Sequence, residues 1–189
     1  MEVSSGDTAW VLMSTALVLL MTPGLALFYG GMVRAKSVLN MMMMSLVSAA
    51  VVTILWVTFG FSMAFGDSET SLVGSFELSN LGAALDKLTI NGGVYPIPLL
   101  VFVAFQLMFA IITVALISGA IADRTKFSTW VIFVALWSIV VYFPVANWVF
   151  DFGDENGDGA GWLARLGVID FAGGTAVHIN AGAAALALT

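Results

Sequence analysis

Cysteine is absent from this chain of 189 residues, and basic residues and histidine are scarce. The lack of cysteine excludes a disulfide framework and a thiolate metal site, and it leaves the redox compartment undetermined. Six lysines and arginines stand against twelve acidic residues, and a net charge of −6 is not that of a nucleic-acid-binding protein. Charged residues make up 10% of the chain and hydrophobic residues 60%. This composition predicts an integral membrane protein.

Five long apolar stretches follow one another along the chain. Each is near the ~20 residues that an α-helix needs to cross the hydrocarbon core of a membrane. Their approximate bounds are 10–32, 39–65, 96–121, 127–150 and 168–189. We therefore predict an all-α integral membrane protein with five transmembrane helices in this chain. The first seven residues have no basic cluster, so they do not resemble a secretory signal peptide.

The charged residues lie mainly between the predicted spans and indicate how the chain is oriented. Basic residues follow the first span and separate the third span from the fourth: Arg34, Lys36, Arg124 and Lys126. Because cytoplasmic loops are enriched in such residues, we predict a multi-pass plasma-membrane protein with its N-terminus outside. The outer connections, 66–95 and 151–167, are acidic. Their charge would concentrate small cations, although a solvated acidic surface is the more common purpose of such residues and adaptation to salt is another alternative.

The fifth span contains His178, the only histidine of the chain, eight residues after Asp170. An ionisable residue at membrane depth indicates a functional site. If a helix begins near Asp170, His178 lies ~12 Å further along its axis and ~80° around it, near the middle of a ~30 Å core.

A metal site is not predicted. His178 has no second histidine, cysteine or acid within a helical turn, so zinc is excluded. Residues 154–159 open like a calcium loop, but Arg165 stands where such a loop needs its closing glutamate. No nucleophile–base arrangement or phosphate loop occurs, so we predict neither an enzyme nor a bound cofactor.

Four motifs follow one another over essentially the whole chain: 23–31 with Arg34, 105–106 with 109–113, 144–146, and 170–175 with 178–180. In this order and spacing, taken together, they resemble the motifs of the Amt/Mep/Rh superfamily of ammonium transporters. The resemblance implies the N-terminal half of an eleven-helix inverted-repeat fold, which forms a homotrimer with a narrow apolar pore in each protomer. Since the sequence ends within the predicted fifth helix, we expect a truncated chain. Sites in such folds form between the two repeats.

The resemblance also implies roles for individual residues. Phe105, Phe109 and Phe150 correspond to an external aromatic vestibule, with Phe109 as its gate, and Asp170 supports cation recruitment near the vestibule floor. Without the resemblance, the preferred interpretation of Phe102, Phe105 and Phe109, spaced at i, i+3 and i+7, is an aromatic core stripe of one helix. Asp170 could also act as a helix N-cap, and the two roles are compatible.

His178 corresponds to the first of two pore histidines, which could relay a proton between them. The alternative is a buried histidine that is hydrogen-bonded within the protein. Further candidates for the lining of the pore are Phe28, Leu116 and Thr113.

One departure from the family pattern concerns Phe150, which stands where the family has a vestibule tryptophan. Trp148 cannot replace that tryptophan, because two residues along a helix turn the side chain by ~200°. Phenylalanine is a weaker cation–π partner than tryptophan, which implies a weaker recruitment site or a preference for uncharged substrate. Asn147, where many relatives have histidine, is a smaller departure.

The predicted function is transmembrane transport of ammonium or ammonia. An isolated ammonium is very costly in an apolar channel, so the cation would be recruited by aromatic rings, deprotonated, and passed on as ammonia. Methylammonium is a further candidate substrate, and the partners implied are the lipid bilayer and a cytoplasmic regulatory protein. Two alternatives are an ammonium sensor coupled to a signalling module and a nonconducting half-protein.

Overall fold

The computed structural model describes residues 3–66, 72–84, 89–90, 93–94, 96–153 and 159–189. In this part of the chain, four helices are long and apolar enough to cross a membrane: Ser5–Met32, Ala35–Phe65, Leu99–Ile121 and Phe127–Phe150. A shorter apolar helix, Gly174–Leu188, follows them. We call these five helices the first to fifth spans, and among the described residues the fifth is shorter than a membrane-crossing helix, so the prediction of five transmembrane helices stays a prediction. These helices confirm the prediction of an all-α membrane protein.

Small elements connect the spans. The described residues between the second and third spans contain a 3-10 segment, Ser79–Ala84, and an antiparallel pair of two-residue strands, Thr89–Ile90 and Gly93–Val94. A single helical turn, Trp162–Arg165, precedes the fifth span.

Three spans contain a wider π-helical turn, and these turns are Trp56–Gly60, Ser138–Tyr142 and Gly174–Ile179. The second span consists otherwise of a 3-10 turn at Ala35–Ser37 and α-helix over Val38–Leu55 and Phe61–Phe65. The third is α-helical over Leu99–Ile117 and ends in a 3-10 turn, Ser118–Ile121. The fourth consists otherwise of Phe127–Trp137 and Phe143–Phe150, and the fifth of Asn180–Leu188. Such π turns are frequent at functional sites.

The third span lies at the centre of the helices. Of the 18 most apolar consecutive residues of the third span, 56% are buried, whereas in the first span the corresponding share is only 11%. The core around it contains Trp56 and Phe143, whose ring centroids lie 5.7 Å apart. Buried tryptophans also tie the spans together, since the Trp56 indole donates to the Val103 carbonyl at 3.2 Å and that of Trp130 to the Met44 carbonyl at 2.8 Å. The exposed first span leaves a large apolar surface for lipid or protein.

The two short basic connections lie at the same end of the bundle. The Arg34 guanidinium lies 3.9 Å from the Asp123 carboxylate, which joins the connection after the first span to the one after the third. Of the eight acids in the outer connections, Glu77 and Asp151 are among the described residues. The others, and the calcium-like segment 154–158, lie outside them.

The fifth span begins at Gly174, and the prediction of a helix from near Asp170 was wrong. Ala172 and Gly173 have positive φ angles of 53° and 79°, which a right-handed helix cannot contain. His178 therefore lies only four residues, about one turn, beyond the start of the helix. The predicted separation of ~12 Å and ~80° from Asp170 does not apply, because no continuous helix joins the two residues.

Candidate functional site

An open, mainly apolar cavity of about 330 Å³ lies among the first, third and fifth spans. Four of the sequence-predicted residues line it: Phe28, Phe109, Leu116 and His178. Ile112 and Val177, which the sequence did not suggest, line it as well. The cavity thus brings together a predicted gate phenylalanine and the single histidine from different spans.

The third span contributes one helical face to the cavity. Phe109, Ile112 and Leu116 follow each other at intervals of three and four residues, which places them on the same side of an α-helix. This spacing could have identified Ile112 from the sequence. Phe105, one turn before Phe109, packs edge-to-face against it with ring centroids 5.0 Å apart. Phe105 is thus joined to the cavity wall through Phe109.

Thr113 lies on another face of the third span. It is fully buried, and its hydroxyl donates a hydrogen bond to the Phe109 carbonyl at 2.6 Å. The structure therefore places Thr113 in the packing behind Phe109 and not among the residues that line the cavity.

His178 is one of the residues that line the cavity. The side chain is exposed in this chain, and it makes no hydrogen bond within the part of the chain that the structure describes. The alternative of a buried, internally hydrogen-bonded histidine does not fit this geometry. No cluster of three or more potential metal-ligating side chains occurs among the described residues. An imidazole in this setting offers one donor and one acceptor to a molecule in the cavity.

Asp170 caps the start of the fifth span. One carboxylate oxygen, Oδ2, accepts hydrogen bonds from the backbone N–H groups of Thr175 (3.1 Å) and Ala176 (2.8 Å). The other, Oδ1, is buried without a hydrogen-bond partner among the described residues. Asp170 is not among the residues that line the cavity. Its negative charge also complements the positive end of the helix dipole.

Substitution of Asp170 can separate its capping role from its charge. Asp170→Ala should destabilise the protein by about 1 kcal/mol, because two backbone donors lose their acceptor, whereas Asp170→Asn keeps an acceptor oxygen and should lose less. Thermal unfolding followed by tryptophan fluorescence would measure both. Equal stability of Asp170→Ala and the wild type would contradict the capping interaction.

Phe150 packs away from the cavity. Its ring is parallel to that of Phe65 on the second span, with centroids 6.4 Å apart and an interplanar angle of 1°. Trp148 points elsewhere, since its indole donates to the Leu72 carbonyl at 2.8 Å and its ring lies 5.7 Å from that of Trp162. The geometry agrees with the argument that Trp148 cannot take the place of a tryptophan at position 150.

Comparison with known proteins gives consistent matches. Residues 9–189 match the sequence model of the Ammonium Transporter Family. The chain is 58% identical to an ammonium transporter of Mycobacterium bovis, covering 97% of this chain and 41% of the relative. It is 48% identical to a putative ammonium transporter of Methanothermobacter thermautotrophicus, covering 100% and 44%. The relatives are thus transporters and not enzymes, and the chain spans about two fifths of their length.

Solved structures give the same result for the fold. The crystal structure of Saccharomyces cerevisiae Mep2 matches with a TM-score of 0.85 at 30% identity, over 98% of this chain and 40% of that one. A structure described as a sensor Amt protein matches with a TM-score of 0.82 at 30% identity, over 96% of this chain and 42% of the other.

Proposed function

Because the chain belongs to the ammonium transporter family, we propose that it forms the first half of a transmembrane path for ammonium and ammonia. The observation that carries this proposal is that Phe109 and His178, from two different spans, line the same apolar cavity. The second half of the path comes from the part of the protein that corresponds to the remaining length of the relatives.

Cation recruitment takes place on the aromatic side of the cavity. The rings of Phe105 and Phe109 form an edge-to-face pair at 5.0 Å, and an aromatic face attracts a partly dehydrated cation by ~0.5–2 kcal/mol. Asp170 adds negative potential while it caps the fifth span. Phe150 lies away from the cavity, stacked on Phe65, and we assign it to an outer recruitment site with a weaker cation–π surface than a tryptophan would give.

Deprotonation precedes passage through the cavity. The cavity wall is almost entirely apolar, so an ammonium ion would lose its hydration there without gaining comparable partners. Neutral ammonia avoids this cost, and the His178 imidazole can accept or donate the separated proton together with a second histidine from the other half. Potassium has no proton to lose and is therefore rejected.

The orientation and partners follow from the charged ends. The connections that contain Arg34 and Asp123 lie together at one end, and we assign this end to the cytoplasm because of its basic residues. The protein is a multi-pass protein of the plasma membrane with its N-terminus outside. It forms a homotrimer in the bilayer, and a cytoplasmic regulatory protein binds its basic end. Methylammonium is a second substrate.

The test is uptake by the full-length protein reconstituted in liposomes. An inward ammonium gradient should produce a current or pH change that protein-free liposomes lack. Phe109→Ala should raise the apparent KM by about two- to thirtyfold, the factor that corresponds to a lost cation–π contact. Phe133→Ala is the matched control, because Phe133 stacks on Trp130 on the other side of the core.

Two results would contradict this proposal. An unchanged KM for Phe109→Ala would remove Phe109 from recruitment, and no signal from the wild type would remove transport itself. In the second case, saturable ammonium binding without uptake would favour a sensor, the alternative to which the fold similarity to the sensor Amt protein points. Absence of both binding and uptake would leave a nonconducting structural role.

A further inference from the structure

Two polar side chains are buried at the outer end of the fourth span, one helical turn apart. Asn147 is 0% exposed and Asp151 is 1% exposed. The Asn147 amide nitrogen donates to the Asp151 carboxylate at 3.1 Å and to the Ala64 carbonyl at 3.3 Å. Ala64 lies in the last turn of the second span, where carbonyl groups have no helical donor. Asn147 therefore links the outer ends of two spans.

Asp151 extends this link to the loop that follows the fourth span. Its Oδ1 atom accepts a hydrogen bond from the Gly153 N–H at 3.1 Å, and its backbone carbonyl accepts one from the Gly161 N–H at 2.9 Å. The Asn147 amide is one of the donors to this buried carboxylate, so its loss removes a hydrogen bond from Oδ2 and weakens the arrangement.

Phe150 lies between these two residues in the chain. Its ring is parallel to that of Phe65, the residue that follows Ala64, and Phe65 packs edge-to-face against Phe102 of the third span at 5.2 Å. Phe102 lies one helical turn before Phe105. The hydrogen bonds of Asn147 to Ala64 and Asp151 therefore hold the backbone next to Phe65 and next to Phe150. The stacked rings of these two phenylalanines connect the fourth span with the aromatic face of the third.

We infer that Asn147 and Asp151 are positioning residues that set the affinity of the outer recruitment site by holding Phe150 against Phe65. This inference rests on the proposed function, because it assigns Phe150 to cation recruitment. Neither residue contacts the substrate. Their effect on transport acts through the position of one aromatic ring.

Kinetics of methylammonium uptake by the full-length protein test the inference. Asn147→Leu keeps the branching and number of heavy atoms of the side chain but removes both donated hydrogen bonds. We expect the apparent KM to rise about three- to tenfold, as for partial loss of a cation–π contact, with the maximal rate per folded protein within about twofold of the wild type. The matched control is Asn40→Leu, because among the described residues the Asn40 amide donates a hydrogen bond only to the Met44 sulfur at 3.6 Å, near the opposite end of the second span.

A double-mutant cycle identifies the route of the effect. If Asn147 acts through Phe150, the variant that combines Asn147→Leu with Phe150→Ala should have the same KM as Phe150→Ala alone. Additive increases would overturn the inference. If Asn147→Leu does not fold, Asp151→Asn provides a second case, since it preserves the shape of the side chain and weakens a charge-assisted hydrogen bond. We expect it to raise the KM about twofold, and no change would count against the inference.

A spectroscopic measurement separates this inference from the proposed function. With 4-fluorophenylalanine incorporated at position 150, the ¹⁹F resonance should shift or broaden in Asn147→Leu and remain unchanged in Asn40→Leu. An unchanged resonance in Asn147→Leu overturns the inference whether or not the protein transports. A shifted resonance with wild-type uptake at an unchanged KM overturns the link to affinity. A shifted resonance with no uptake by the wild type overturns the proposed function, and the role in recruitment fails with it.

Discussion

His178→Ala in the full-length protein is expected to lower the ammonium-driven current in proteoliposomes by roughly tenfold or more, as for loss of a group that transfers protons. Among the described residues that line the apolar cavity, His178 is the one with an ionisable side chain, and alanine in its place can neither accept nor donate a proton. Solid-supported-membrane electrophysiology with ammonium pulses would measure the current, with protein content determined for each preparation.

Two further variants make this result specific. Ile179→Ala changes the neighbouring residue, which is 66% exposed and does not line the cavity, and its current should equal that of the wild type. His178→Asn retains a donor and an acceptor but does not titrate near neutral pH, so it should remain impaired if proton transfer is the role of His178. Identical currents for His178→Ala and the wild type would remove His178 from the mechanism.

Gly60→Ala is expected to destabilise the protein by about 1–3 kcal/mol, which is typical of overpacking in a well-packed core. A Cβ atom at this position would lie 2.5 Å from Cζ of the Phe143 ring. That ring is fully buried between Trp56 and Tyr142, so it has little room to move aside. Thermal unfolding in detergent, followed by tryptophan fluorescence, would measure the loss.

Gly31→Ala is the matched control for this substitution. Gly31 also lies in a membrane-spanning helix, but a Cβ atom there would meet no other atom within 4 Å. Because alanine favours helix over glycine, the control should be as stable as the wild type or slightly more so. If Gly60→Ala unfolds at the same temperature as Gly31→Ala, the Phe143 ring accommodates the added methyl group without loss of stability, which contradicts the prediction.

The class of protein could be predicted from the sequence because the membrane leaves few alternatives. Long apolar segments without charge must satisfy their backbone hydrogen bonds internally, and helices do so within one segment. The helical period likewise places Phe109 and Leu116 on one face of the third span. The family motifs added Phe109 and His178 as candidates, and the two residues do line one cavity. Their roles in transport remain predictions.

The relation between Asp170 and His178 was decided by tertiary structure. The sequence predicted one continuous helix, but the left-handed conformations of Ala172 and Gly173 and the hydrogen bonds to the Asp170 carboxylate start the helix at Gly174. A local apolar pattern does not reveal a carboxylate that caps the helix from outside it. The apolar run around Asp170 was therefore assigned to a helix that begins four residues later.

The sequence alone determined that this chain spans a membrane and which residues share one face of a helix, since both depend on local composition and helical period. Tertiary structure decided which of those faces meet. It places Thr113 in the packing behind Phe109, stacks Phe150 on Phe65, and joins Asn147 by a hydrogen bond to the end of the second span. Contacts between distant segments depend on the shapes and donors of both partners, and neither partner's local sequence contains that information.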